Sequence, residues 1–120
     1  MSRSKYGNRH VQYDGYTFDS LMERRRYQEL KLLEAAGEIY DLKVHPPYQI
    51  FDAYKQPETG KRIRAVKYIA DFEYKDSATA EIITEDVKGV ETAVFKLKRK
   101  LFEVKYERLL RLVQTYENWP

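Results

Sequence analysis

Residues 66–92, VKYIADFEYKDSATAEIITEDVKGVET, hold the pattern that decides the fold. Two apolar runs lie on either side of a polar stretch at residues 75–77, which predicts a turn. The first run predicts the end of a long strand over Arg62–Tyr74, and the second predicts a strand over Ala80–Lys88 that ends at Gly89. Because only a short turn joins them, the two strands are expected to pair in an antiparallel sheet.

The chain before this stretch shows clear start and stop signals. Within His10–Phe18, the pair Asp14-Gly15 predicts a hairpin, because a type I′ turn needs positive φ at both central residues. Asp19 or Ser20 is expected to cap a helix that runs to about Ala36 and stops at Gly37. Extended segments are then predicted at residues 39–42 and 48–53, with a bend at residues 45–47 and a turn at residues 56–60.

The chain after this stretch predicts a second helix over Thr92–Tyr106. Apolar residues at spacings of three, four and three suggest its buried stripe, which consists of Val94, Leu97, Leu101 and Val104, widened by Phe95 and Phe102. Residues 108–114 either continue the helix or form a strand, and we favour a strand. The fold class is therefore an α/β sandwich on a mixed sheet, in the order hairpin, helix, three strands, helix and strand. Residues 1–9 are predicted to be a basic flexible arm, and residues 10–120 a single domain.

Composition excludes several kinds of chemistry. The 120 residues include no cysteine and two histidines, and the net charge is +3. The absence of cysteine excludes disulfide scaffolds, cysteine-ligated zinc, iron–sulfur clusters and thiol nucleophiles. No apolar run approaches the roughly 20 residues of a membrane span, so we expect a soluble cytoplasmic protein without a membrane partner. Any chemistry must then come from carboxylates, lysines and hydroxyls.

Two acidic residues and one lysine stand out in the strands quoted above. Asp71 is a carboxylate within an apolar strand, and Asp86 and Lys88 share one face of the next strand because side chains alternate. The alternative is a solvated edge with a cross-strand ion pair, which would contribute little to stability. Glu85 would face the site in place of Asp86 only if the strand carried a bulge, so alternation favours Asp86.

Glu23 is a further carboxylate, in the first turn of the first helix. It has two readings that the sequence leaves open. The spacing Ser20-x-x-Glu23 is that of a capping box, in which the glutamate bonds back to the Ser20 amide. In the other reading, Glu23 joins Asp71 and Asp86 in a cation site.

The ordered set of helical Glu23, strand Asp71 and Asp86-x-Lys88 resembles the PD-(D/E)xK nuclease superfamily. The resemblance implies a restriction-endonuclease-like core and Mg²⁺, with Mn²⁺ as a substitute, and no nucleotide cofactor. The catalytic set that it implies is Glu23, Asp71, Asp86 and Lys88. The implied metal ligands are Asp71, Asp86, the Val87 carbonyl and Glu23, with Glu85 as the runner-up. Oxygen ligands of this kind suit Mg²⁺.

A closer similarity covers nearly the whole chain. Residues 5–8, 14–27, 68–74 and 85–92 resemble a small phage and prophage family that is catalogued as a domain of unknown function and usually placed among these nucleases. The resemblance implies a Mg²⁺-dependent DNA endonuclease in a bacterial host cell, of which structure-selective Holliday-junction resolvases are one type. A homodimer is expected, because two cuts in a branched substrate need two sites. The alternative is a non-catalytic DNA-binding or protein-binding phage protein on a nuclease fold.

A DNA-facing surface is predicted at the start of the second helix, which directly follows the Asp86-x-Lys88 strand. Phosphate can bind at a helix N-terminus and at basic side chains beyond it. The candidates are Thr92, Lys96, Lys98, Arg99 and Lys100, and the second-rank candidates are Arg24 and Arg25. Tyr54, Tyr68 and Tyr74 are candidates for stacking on unpaired bases, although packing is the commoner role for tyrosine.

Overall fold

A computed structural model describes residues 10–114, and the predicted arm at residues 1–9 lies outside this range. The described residues form two helices and ten strands. Neither helix in this range is long and apolar enough to cross a lipid bilayer. In chain order the elements are β1 (Val11–Tyr13), β2 (Tyr16–Phe18), α1 (Leu21–Ala35), β3 (Ile39–Val44), β4 (Pro47–Phe51), β5 (Tyr54–Lys55), β6 (Arg62–Ile63), β7 (Val66–Ile69), β8 (Phe72–Asp76), β9 (Ile82–Lys88), α2 (Ala93–Tyr106) and β10 (Leu110–Gln114).

The local signals at the start of the chain are confirmed. Asp14 and Gly15 both have positive φ, at 54° and 84°, as a type I′ turn between β1 and β2 requires. Ser20 caps α1 by accepting a hydrogen bond from the Glu23 amide at 3.1 Å. The helix ends before Gly37, which adopts a φ of 79° that a residue with a Cβ rarely takes. The β1–β2 turn and the two ends of α1 are therefore set by the conformational and capping preferences of residues that are close together in the sequence.

A four-stranded mixed sheet lies at the centre of the fold, in the order β10-β9-β8-β3. β8 runs antiparallel to both β9 and β3, whereas β10 runs parallel to β9 because α2 connects them. Residues 110–114 therefore form a strand, as the sequence favoured. The architecture is mixed α+β, with two helices and additional two-stranded sheets.

The predicted single strand over Arg62–Tyr74 is wrong, and so is the prediction of only three strands between the helices. The segment is divided into β6, β7 and β8, and seven strands separate α1 from α2. β7 pairs with β4 and β6 pairs with β5, which creates an antiparallel two-stranded ribbon over residues 47–69, here called the ribbon. The chain leaves the ribbon at Ala70 and enters the central sheet at Phe72. Local alternation could not show that successive parts of the segment pair with different strands.

Two hydrophobic cores cover the two faces of the central sheet. Along β9, Ile83 and Val87 pack into the core beneath α1, while Thr84 hydrogen-bonds Tyr48 in the core beneath α2. The alternation of side chains along a strand therefore separates two layers. The first core contains Phe18, Tyr27, Leu30, Ile39, Phe72 and Tyr74. The second contains Tyr48, Ile50, Tyr68, Ala70, Phe95, Phe102 and Leu110.

The apolar stripe predicted for α2 is wrong at three of its four positions, since only Leu101 packs against the core, whereas the two phenylalanines predicted to widen it are buried. Val94, Leu97 and Val104 are 63%, 58% and 79% exposed, whereas Phe95 and Phe102 are buried. The two phenylalanines lie seven residues apart, on the same side of the helix, and each buries more apolar area than a valine or leucine. The helix is therefore oriented by its aromatic pair, although the aliphatic residues have the more regular spacing.

Candidate metal centre

Asp71 lies between β7 and β8, where the chain passes from the ribbon into the central sheet. Its Oδ2 accepts a hydrogen bond from the Val87 amide at 2.7 Å, and its own amide donates to Asp86 Oδ1 at 2.8 Å. This reciprocal pair of bonds fixes Asp71 against the end of β9. The structure therefore brings together the two strand carboxylates that the sequence singled out.

Asp86 and Lys88 share the face that strand alternation predicts. Asp86 is buried, and its Oδ2 accepts the Tyr68 hydroxyl and lies 3.4 Å from Lys88 Nζ. The Lys88 ammonium group also lies 4.8 Å from the centre of the Phe95 ring, in the first turn of α2. Since one third of the Lys88 side chain stays exposed, its charge is held at Asp86 while remaining accessible to an anion.

Glu85 faces the opposite side of β9. Its oxygens accept hydrogen bonds from Arg26 Nε at 2.6 Å, Arg26 Nη2 at 3.1 Å and the Tyr74 hydroxyl at 2.7 Å. The register between β8 and β9 is regular from Phe72–Glu85 to Lys75–Ile82, without the bulge that would turn Glu85 toward Asp71. Glu85 is fully buried and serves an ion pair beneath α1.

Glu23, His45 and Asp71 form a cluster whose potential ligand atoms all lie within 4.8 Å of one another. Glu23 Oε1 lies 2.7 Å from His45 Nε2, and Glu23 Oε2 accepts the Asp19 amide at 3.2 Å. The carboxylate therefore caps the start of α1 and joins the cluster at the same time. The capping bond goes to the Asp19 amide rather than to the Ser20 amide. Glu23 thus has the capping role and also lies beside Asp71, in a cluster that contains His45 in place of Asp86.

His45 is the member of the cluster that sequence reasoning missed. It lies in the bend before β4, with a φ of 55°, and its amide donates to the Asp71 carbonyl at 2.9 Å. Non-glycine residues at such φ values are uncommon and are often found at functional sites. The only sequence signal was a histidine beside Pro46-Pro47. Its partner Glu23 is 22 residues away, so no local spacing links the two.

The electrostatics of this centre oppose ionisation of its acids. Burial, together with the charges of Asp86 and Glu23, raises the pKa of Asp71 well above its usual range. Burial also raises the pKa of Asp86, although the hydrogen bond from Tyr68 acts to lower it. Burial likewise raises the pKa of Glu23, although its hydrogen bond with His45 acts to lower it. Three carboxyl groups with raised pKa values and a shared location form a site that a cation would stabilise. The residues present therefore fit a divalent metal ion.

A family model matches residues 3–116 and carries the description "Protein of unknown function (DUF1064)". The chain belongs to this family. No curated protein and no solved structure gives a significant match. For this family member, the geometry of the site is therefore the main guide to its chemistry.

The donor set of this DUF1064 protein differs from the one expected from the sequence. Asp71 and Glu23 are common to both sets, but the observed cluster adds His45, whereas Asp86 lies on the α2 side with both oxygens hydrogen-bonded. The structure shows the Val87 amide bound to Asp71, and this bond fixes the strand end beside the cluster. Carboxylates suit both Mg²⁺ and Mn²⁺, while an imidazole ligand is accepted more readily by transition metals than by Mg²⁺.

We expect His45→Ala to weaken Mn²⁺ binding by about 10-fold or more and to leave Mg²⁺ binding less affected, because only transition metals gain strongly from an imidazole ligand. Isothermal titration calorimetry of both ions on the wild type and the variant measures this difference. His10→Ala is the matched control, since His10 lies outside the cluster and its ion pair within residues 10–114 is with the exposed Asp19. If the wild type and His45→Ala bind Mn²⁺ with equal affinity, His45 is not a metal ligand and only positions Glu23.

The predicted DNA-facing residues divide into accessible and neutralised groups. Thr92 is the N-cap of α2, where its hydroxyl accepts the Phe95 amide at 3.1 Å. Lys96 and Lys100 are exposed and Lys98 is half-buried, and none of the three forms an ion pair within residues 10–114. Arg99 is paired with Glu91 and Glu103, which offsets its charge.

The second-rank candidates are less accessible than Lys96 and Lys100 of α2. Arg24 and Arg25 are both half-buried, and the Arg24 guanidinium lies over the Tyr13 ring at 5.9 Å. Tyr68 and Tyr74 are buried, so neither is available to stack on a base, while Tyr54 is 46% exposed.

Proposed function

We propose that this protein is a divalent-metal-dependent DNA endonuclease of the PD-(D/E)xK type, which hydrolyses phosphodiester bonds. The observation that carries the proposal is the convergence of Asp71, Asp86 and Lys88 beside Glu23 and His45 at one end of the central sheet. Buried carboxyl groups with raised pKa values and an adjacent lysine are typical of a metal-dependent hydrolytic centre. The phage or prophage origin and the bacterial cytoplasmic location belong to the same proposal, through the resemblance given above.

The order of the elements supports a restriction-endonuclease-like core. If the ribbon and the first hairpin are set aside as additions, the remaining elements are α1, β3, β8, β9, α2 and β10, an order of helix, three strands, helix and strand. In this arrangement the strand with Asp86 and Lys88 is central, and α2 begins beside it. The ribbon is then an insertion between the first and second core strands.

Each residue has a role that follows from its surroundings. Asp71 and Glu23, with His45 or Asp86, would hold a divalent ion, which when bound would lower the pKa of a water molecule and neutralise charge on the phosphate. Tyr68 and the Asp71 amide fix Asp86 through both of its oxygens. Lys88, anchored at Asp86, would stabilise negative charge that develops on the phosphate. The Lys88 ammonium group lies over the ring of Phe95 in the first turn of α2, and Thr92 and the amides of that turn would contact a neighbouring phosphate.

The test is cleavage of branched, single-stranded and duplex DNA by the purified protein with Mg²⁺ or Mn²⁺. We expect Asp71→Ala to reduce cleavage to background, because it removes the residue shared by all parts of the centre. Lys88→Ala is expected to reduce the rate by about 10²- to 10³-fold, as does the loss of one charge-stabilising group in other enzymes. Gel assays with end-labelled substrates measure both effects, and chelation by EDTA is expected to abolish cleavage.

Glu73→Gln is the matched control for these variants. Glu73 is an acidic residue of β8, two positions after Asp71, but its carboxylate contacts Tyr48 and Lys43 instead of the cluster. The control is expected to cleave at the wild-type rate. Cleavage that continues unchanged in both Asp71→Ala and Lys88→Ala would contradict the proposal, and so would the absence of cleavage on every substrate with either metal.

A further inference from the structure

The ribbon carries positive charge that the rest of the protein does not neutralise. Five basic side chains lie on it, and all are exposed: Lys55, Lys61, Arg62, Arg64 and Lys67. None of them forms an ion pair with any residue in the range 10–114. The two acids of the ribbon are Asp52, which is bound to Lys105 of α2 at 2.7 Å, and Glu58 near the tip. An anionic partner would therefore meet an unpaired basic surface here.

The base of the ribbon is fixed at the candidate metal centre. His45 precedes β4 by two residues and Asp71 follows β7 by two residues, and the first ribbon pair is Pro47–Ile69. Two backbone hydrogen bonds join the strands below this pair, from His45 to Asp71 and from Ala70 to Pro46. At about 3.3 Å per residue, the nine residues from Asp71 to Arg62 reach at most about 30 Å. The basic tip thus lies within about nine base pairs of the centre, at 3.4 Å per pair.

The shape and surface of the ribbon match a nucleic-acid duplex. The major groove of B-DNA, about 12 Å wide, admits a two-stranded β-ribbon. Within the tip, the residues of β5 and β6 are exposed except for Ile63, which is half-buried, so both strands are accessible. Phe51 and Tyr54, each 46% exposed, lie on the same ribbon with ring centroids 6.1 Å apart. Basic residues interspersed with exposed aromatic rings favour a nucleic acid over an acidic protein surface.

We infer that the ribbon is a DNA-binding arm that contacts the backbone of the duplex flanking the scissile phosphate. The basic side chains supply sequence-independent contacts to phosphate, and the rigid attachment at Asp71 sets the distance between these contacts and the cleavage site. This inference rests on the proposed function for the position of the cut, whereas the binding itself does not require cleavage. It assigns the main duplex contact to a segment that is separate from α2.

The test compares DNA binding by the triple variant Lys61→Gln, Arg62→Gln and Arg64→Gln with that of the wild type. Fluorescence anisotropy on a 30-base-pair duplex with EDTA, from 0.05 to 0.3 M salt, measures affinity without cleavage. Loss of three phosphate contacts is expected to reduce the slope of log K against log salt by about 2.7 and to weaken binding about 100-fold at 0.15 M salt. Circular dichroism and thermal melting establish that the variant is folded.

The matched control removes the same charge elsewhere, through Lys31→Gln, Lys43→Gln and Lys75→Gln. These lysines lie on α1, β3 and β8, and each is paired with an acid on the surface. The control is expected to bind within about 3-fold of the wild type, because distant surface charges are screened at 0.15 M salt. Equal losses of affinity in the two triple variants would mean that net charge alone causes the loss, and this would overturn the inference. Wild-type affinity in the ribbon variant would also overturn it, as would the absence of duplex binding by the wild type.

The outcomes separate this inference from the proposed function. Ribbon-dependent binding without cleavage on any substrate would contradict the nuclease and support the arm. Metal-dependent cleavage by a ribbon variant that binds as well as the wild type would support the nuclease and overturn the arm. If the protein both binds and cleaves, the complex with the non-cleaving variant Asp71→Asn can be mapped by hydroxyl-radical footprinting. We expect protection of the DNA up to about nine base pairs from the cleavage position. Adding the ribbon substitutions to Asp71→Asn is expected to remove this protection.

Discussion

Asp71→Asn is expected to make the metal-free protein more stable while it abolishes DNA cleavage. The asparagine keeps one oxygen for the Val87 amide but removes a buried negative charge that lies close to Asp86 and Glu23. We expect a gain of about 2 kcal/mol in the free energy of unfolding at pH 8, or about 8 °C in Tm. Differential scanning calorimetry in EDTA measures the gain, and the cleavage assay measures the loss of function.

The gain in stability from Asp71→Asn is expected to increase with pH, because the pKa of Asp71 is raised in the folded state. Between its unfolded and folded pKa values, the Asp71 carboxyl group holds a proton in the folded state and loses it in the unfolded state. The contribution of this group to stability therefore falls as the pH rises from about 4 through the raised pKa. The asparagine has no such dependence, so its advantage over the wild type is expected to be small at pH 5 and large at pH 8.

Glu73→Gln is expected to behave in the opposite way. Burial acts to raise the pKa of Glu73, but hydrogen bonds from Tyr48 and Lys43 outweigh it and hold that pKa below the usual range. The carboxylate is therefore stabilising above its unfolded pKa, and its loss is expected to reduce Tm at pH 8. A gain in Tm from Glu73→Gln, or none from Asp71→Asn, would contradict the electrostatic description of the centre.

Arg26→Met is expected to destabilise the fold by about 3–5 kcal/mol, because it leaves a buried carboxylate without its cation. Glu85 is fully buried, and its two hydrogen bonds from the Arg26 guanidinium would be lost while that from Tyr74 remained. The corresponding change in Tm is a decrease of roughly 15 °C. Urea denaturation at pH 7, followed by circular dichroism, measures the change.

Two further variants test whether the unpaired charge causes this loss. Arg26→Met combined with Glu85→Leu removes both partners and is expected to recover most of the stability, because an apolar pair can replace a buried ion pair at little cost. Arg24→Met is the matched control on the same helix, since the Arg24 side chain contacts the Tyr13 ring and forms no ion pair among residues 10–114. A double variant as unstable as Arg26→Met alone would contradict the mechanism.

Several features were predictable because their causes are local. The turn at Asp14-Gly15 and the cap at Ser20 depend on the conformational preferences of adjacent residues. The shared face of Asp86 and Lys88 depends only on the alternation of a strand, and the structure shows the pair 3.4 Å apart. The strand at residues 110–114 was the favoured reading, and the alternative was a continued helix, because a short apolar run fits a helix as well as a strand.

The errors arose where long-range contacts chose among locally equivalent patterns. The segment Arg62–Tyr74 alternates like one strand, but it pairs first with β5 and β4 and then with β3 and β9. On α2, three of the four predicted aliphatic positions are exposed, because the aromatic pair fills the space against the ribbon. A pattern of hydrophobic residues reports which side chains can be buried, and the partners decide which ones are buried.

The sequence by itself determined the positions of turns and caps, the faces of β9 and the choice of Asp71, Asp86 and Lys88 as candidate residues. Only the tertiary structure decided that His45 joins Glu23 and Asp71, that Glu85 is committed to Arg26, and that the ribbon begins at the metal centre. The reason is the distance along the chain. His45 and Glu23 are 22 residues apart and Arg26 and Glu85 are 59 apart, and contacts of this kind exist only once both cores have formed around the central sheet.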